Sequence, residues 1–154
     1  MNLTARQIPL PFAARRRPYT AVLVELPNVC TELGVSRDTV REYVDCGYLR
    51  YVFDLAATSA RARELRFDLQ EVRMLAAEQP RSNEPLDEAV QRIVGHRLSN
   101  ELHSESVADL LCTTRTVIHQ WLRHGELTGP IQVAHRQMVS RQSIVEFLKR
   151  RVVA

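Results

Sequence analysis

The same arrangement of residues occurs twice in this chain, with Val29 to Leu49 matched by Val107 to Leu127 at a constant offset of 78. A repeat of this length describes one supersecondary unit made twice, which restricts the chain to folds with two similar halves. In each half a short first helix is expected to turn Val29 and Leu33, or Val107 and Leu111, inward at i, i+4 spacing. The chain then turns at Gly34-Val35 or Cys112-Thr113; glycine suits the positive φ of such a turn, and Cys112 departs from that chemistry. Ser36 and Thr114 stand where a second helix needs an N-cap, their hydroxyls able to accept a bond from an unpaired amide. On that helix Val40, Tyr43 and Val44, matched by Ile118, Trp121 and Leu122, form the inward stripe. Arg37, Asp38, Arg41 and Glu42, matched by Arg115, Thr116, His119 and Gln120, face outward. Gly47 and Gly125 close the helices, and Leu49 and Leu127 lead out into extended chain.

The repeat continues with a change of offset. Tyr51-Val52-Phe53 reads as an outgoing strand, Glu64-Leu65-Arg66-Phe67 as its return, and Asp68 as the cap of a helix carrying Val72 and Leu75. In the second half, Ile131 to Val139 reads as two short strands with a turn near His135, followed by a closing helix from Ser140 to Leu148. Aligning Phe67 with Val139 gives an offset of 72, so the first excursion is six residues longer than the second. Its tip, Ala56 to Arg63, together with Arg66, forms a local positive cluster.

Both halves resemble the winged-helix domain shared by MerR-like regulators and phage or plasmid excisionases. The second is the closer, through Val107-Ala108, Thr114-Arg115-Thr116-Val117, Trp121, Gly125-Glu126-Leu127 and Ile144 to Leu148. The first departs at Cys30, where alanine is usual, and in its long wing. The resemblance implies a mainly α fold with small β wings, built as two winged helix-turn-helix domains joined by a helical linker. The expected division is a flexible arm over 1–24, a first domain over 25–78, a linker with a short helix over 79–101 and a second domain over 102–154. MerR-like regulators normally add a long dimerisation helix and an effector domain. No segment here reads as either, which is nearer to the excisionase side.

Double-stranded DNA is the partner this reading implies, with the second helix of each half in the major groove. Ser36, Arg37, Thr39 and Arg41, with Thr114, Arg115, Thr116, His119 and Gln120, are the candidate contacts there. Arginine pairs with guanine edges and Gln120 with an adenine, so Arg37 or Arg41, Arg115 and Gln120 lead for specificity. Arg61, Arg63, His135 and Arg136 are expected to meet phosphates or the minor groove. Tyr43 and Trp121 are expected to pack in the core rather than stack on bases. A transcriptional regulator is the leading expectation. An excisionase-like factor working with a recombinase, a replication accessory factor and a protein-interaction adaptor are the alternatives; the acidic Asp38, Glu42 and Asp45 speak for the last.

Composition sets the outer limits. With 154 residues and 45% hydrophobic content, the chain suffices for one ordinary domain or two small ones with thin cores. The formal charge of +3 is too small to indicate nucleic acid by itself, and 20 of the 21 basic residues are arginine, as GC-rich codons also favour. Cys30, Cys46 and Cys112 are odd in number, lack a metal-binding spacing and read as buried reduced thiols. Neither a signal-peptide core nor a membrane-length apolar run appears, so a cytoplasmic protein is expected. The histidines and serines show no catalytic order and no phosphate loop is present; neither enzymatic activity nor a cofactor or metal is expected.

Two segments lie outside the repeat. Pro85 opens a helix on which Leu86, Val90, Ile93 and Arg97 or Leu98 share a face, suited to packing on the domains or to a homodimer seam. A chain with two reading units also works as a monomer. Near the start, Gln7-Ile8-Pro9-Leu10-Pro11-Phe12 resembles the peptide by which bacterial replication and repair proteins dock on the sliding clamp. That resemblance implies contacts by Gln7, Ile8, Leu10 and Phe12. Arg15-Arg16-Arg17 follows as a candidate minor-groove arm.

Overall fold

The computed structural model describes residues 22–56, 62–80, 82–95, 100–130 and 137–153. Strand β1 (Leu23–Glu25) runs into helices α1 (Leu26–Leu33) and α2 (Arg37–Asp45), then β2 (Val52–Asp54), β3 (Leu65–Asp68) and α3 (Leu69–Ala76). Helix α4 (Leu86–Val94) follows, and the second half supplies β4 (Glu101–His103), α5 (Ser104–Leu111), α6 (Arg115–Arg123), β5 (Met138–Ser140) and α7 (Arg141–Arg150). The fold is mainly helical, with a three-stranded antiparallel sheet in the order β1-β3-β2 and a two-stranded sheet β4-β5. Among the described residues no helix is long and apolar enough to cross a membrane.

Structure repeats where sequence repeats, down to individual bonds. Val24 pairs with Phe67 and Leu102 with Val139, which reproduces the 78 and 72 offsets in one register. After α2 the amides of Gly47 and Tyr48 close on the carbonyls of Val44 and Tyr43, and after α6 those of Gly125 and Glu126 close on Leu122 and Trp121. This is the double bond of a Schellman ending, which satisfies carbonyls the helix cannot. Ser36 accepts the Thr39 amide at 3.3 Å and Thr114 the Val117 amide at 3.4 Å, so both caps form. At the first turn Gly34 has φ 65 and Cys112 has φ 53. The cysteine therefore adopts the left-handed conformation in spite of its Cβ.

β1 and β4 each pair with the strand that precedes a closing helix. This corrects the boundary of the arm drawn at residue 24, because Leu23 and Val24 are buried sheet residues. The reason is alternation. Side chains of a strand point to opposite faces, and this sheet buries apolar side chains on both. Val24, Phe67 and Val52 form one cross-strand row and pack with Val29, Val40, Leu49 and Val72 in the core of the first half. Leu23 and Phe53, on the other face, join Val107, Leu111, Ile118, Ile144 and Phe147 in a larger core. The sheet is thus a wall shared by the two halves.

Arg66 stands on that second face, only 8% exposed. Its Nε donates to the carbonyls of Leu111 and Cys112 at 3.1 Å each, and Nη2 to Cys112 at 2.9 Å. These are C-terminal carbonyls of α5, where a cation is favoured by the helix dipole. The placement of Arg66 in a wing-tip cluster is therefore corrected: it lies across from Glu25 and Phe53 on the central strand and bonds the second half. Helix α4 is likewise no free spacer. Ala89, Val90, Ile93 and Val94 are buried, chiefly against α7, so among the described residues this apolar face is occupied internally. Arg97 and Leu98 lie outside the described residues.

Arg92 ties α4 to the first half through Asp68 at 2.6 Å and Glu84 at 3.1 Å. Burial works against the Arg92 charge, but the bonds from Asp68 and Glu84 outweigh it and raise the guanidinium above its ordinary value. The cysteines also need correction, since Cys46 at a helix end is exposed and Cys30 and Cys112 are half-buried. Gly129 has a different use from the other glycines: a Cβ there would stand 2.1 Å from the carbonyl oxygen of Met138.

Three substitutions test this account by chemical denaturation. Arg66→Met leaves buried carbonyls without a donor and is expected to cost about 2–3 kcal/mol. Cys112→Gly removes the left-handed strain, offset in part by unfolded-chain entropy, and is expected to stabilise by about 0.5–1 kcal/mol. Gly129→Ala forces β5 away from its neighbour and is expected to cost at least ~1 kcal/mol, with the change in amide exchange centred on Met138 to Ser140.

Candidate nucleic-acid interface

The inward stripe of α6 decides what its other side presents. Ile118 is fully buried and Trp121 is 9% exposed, its ring 4.7 Å from that of Phe147 on α7. With the helix so anchored, Arg115, Thr116, Gln120 and Arg123 stand exposed on the opposite side, and His119 is half-buried beside them. Arg115 pairs with Glu105 of α5 at 3.0 Å, an exposed contact that orients the guanidinium at small cost to break. His119 Nε2 lies 3.4 Å from the Ser104 hydroxyl. Thr114 is spent as the cap described above, leaving its hydroxyl at the start of the helix and exposed.

In the first half, α2 buries Val40 and half-buries Tyr43 and Val44. Arg37 is exposed at its first position, and Arg41 pairs with Asp38 at 3.6 Å. Ser36 and Thr39 hold each other's hydroxyls at 3.0 Å, so Thr39 serves the cap. Tyr43 meets Tyr48 edge to face at 5.9 Å and Trp121 is a core residue, as expected of both against stacking on bases. Arg63 is exposed before β3. Arg61, His135 and Arg136, and the peptide residues Gln7, Ile8, Leu10 and Phe12, lie outside the described residues.

Sequence reasoning passed over Arg123. It sits one turn beyond His119 and Gln120 on α6, and the spacing alone shows that it shares their side of the helix. The structure adds a groove of about 520 Å³ between the end of α6, the chain that leaves it through Gly125 to Gly129, and Gln137 just before β5. Leu122 and Leu127 give it an apolar floor; Arg123, His119 and Gln137 bring hydrogen-bonding groups to it. Among the described residues Arg123 has no acidic partner.

The arrangement has cation, amide, hydroxyl and imidazole groups on one rigid helix surface, which is the chemistry that pairs with base edges and phosphate oxygens. No family model matches the chain, and no curated protein or solved structure matches it either.

Proposed function

We propose that the protein is a sequence-specific double-stranded DNA-binding protein acting in transcriptional regulation, and that its two halves are winged helix-turn-helix modules reading adjacent half-sites. The observation that carries this reading is the outer side of α6, where Arg115, Thr116, His119, Gln120 and Arg123 include no carboxylate and are held by a stripe buried on the other side. Two helices joined by a three-residue turn, the second capped by Ser36 or Thr114, support it in both halves. In this reading Gln120 pairs with an adenine and Arg115, released from Glu105, with a guanine. Arg37 and Arg41 address the second half-site. Arg63, with Arg61, His135 and Arg136, adds phosphate contacts that raise affinity without choosing sequence. The cytoplasm is where such a protein would work.

Selection of bound fragments from a random duplex pool tests the reading. The expected result is enrichment of a defined site. Gln120→Ala is then expected to relax preference at one base pair at a cost of about 1–3 kcal/mol, leaving the flanking positions as selective as before. A pool that returns unenriched after repeated rounds at moderate salt overturns the proposal.

A further inference from the structure

The two outward helix faces hold equivalent places in the repeat and opposite charge. Positions 37, 38, 41, 42 and 45 of α2 carry two arginines and three carboxylates, whereas their counterparts 115, 116, 119, 120 and 123 of α6 carry two arginines, a histidine and no carboxylate. Among the described residues Glu105, across from Arg115, is the single acid paired to that face, and it is exposed enough to yield to a stronger anion. Aspartate thus stands at 45 where the second half has Arg123. A phosphate approaching the end of α2 meets Asp45 and Glu42; one approaching the end of α6 meets a guanidinium with no acidic partner among the described residues.

The ground beside each helix differs in the same sense. Next to α6, Thr128 and Gly129 leave the 520 Å³ groove open. Their counterparts in the first half are Arg50 and Tyr51, both with large side chains. Arg50 lies over the Tyr51 ring at 5.1 Å and donates to its hydroxyl at 3.0 Å, and the two are bonded onward to the carbonyls of Ser82 and Glu84. Arg50 is consequently engaged within the protein.

We infer that DNA is gripped unequally: the groove at the end of α6 seats one phosphate strand against Arg123, His119 and Gln137, and α2 contributes far less to affinity. This rests on the DNA-binding reading above. Its physical basis is counterion release, since only a face that neutralises phosphates gains affinity as salt is lowered. Arg123 is a phosphate-binding residue on this account, and α2 adjusts orientation on the duplex more than it holds it.

The test uses the full chain and a duplex recovered by selection, with binding followed by fluorescence anisotropy from about 50 to 200 mM salt. Arg123→Ala is expected to weaken binding about tenfold and to lower the slope of log K against log salt by about one, as loss of a single phosphate contact does. The loss with Arg37→Ala is expected to be several-fold smaller and to leave the slope nearly as it was. Both residues are exposed on helix surfaces, and Arg123→Lys, which keeps the charge, is expected to recover most of the slope. Equal losses at the two positions, or an unchanged slope in Arg123→Ala, overturn the unequal grip while leaving DNA binding in place. A wild-type chain that binds no duplex at the lowest salt overturns both.

Discussion

Everything in this molecule depends on a small sheet that buries apolar side chains on both faces. Three short strands and a half of about 50 residues bury little surface by themselves and are marginal alone. The β1-β3-β2 sheet resolves both difficulties by giving one row of side chains to its own helices and the other to the second half. Arg66 then fixes the direction of approach. Its planar guanidinium reaches the carbonyls at the end of α5, and such bonds have narrow angular tolerance compared with apolar contact. The turn that leads into α6 is therefore held from the other half of the molecule, at the very residue whose backbone is strained.

Much of the fold was legible because local chemistry and tertiary need agree. The caps at Ser36, Thr114 and Asp68, the glycines after α2 and α6, and the switch of offset from 78 to 72 are all written in consecutive residues. β4 was not legible, since Glu101-Leu102-His103 shows one apolar residue and exists as a strand only through pairing with β5. β1 had the better signal, Val22 to Val24, but apolar residues near a terminus are as consistent with an arm. The role of Arg66 was invisible for a stronger reason. Arginines two and three residues apart read as one cluster, whereas strand alternation sends Arg66 inward, and only the second half's carbonyls make that burial tolerable.

The candidate interface was legible in part. Outward positions of α6 follow from the inward stripe, and Gln120 and Arg115 lie where helical spacing puts them. Thr39 and Ser36 turned out to serve each other and the cap. The groove could not be anticipated, because Leu122, Thr128, Gly129 and Gln137 line one space only once the chain has turned out of α6 and come back to β5. Its contrast with Arg50 and Tyr51 appears only when the two halves are aligned and their side chains are seen in place.

The sheet's remaining edge is completed by the far end of the second half. Val153 donates to the Val52 carbonyl at 2.7 Å, Asp54 donates to the Arg151 carbonyl at 2.8 Å, and Val152 bridges to Phe53. Arg151 also reaches the Ala56 carbonyl at 2.7 Å and Glu126 at 2.5 Å. Residues 151–153 leave the ribosome long after β2, so the nascent first half waits with an unpaired edge and an uncovered apolar face. Two units that look modular in sequence are for this reason one unit in biogenesis.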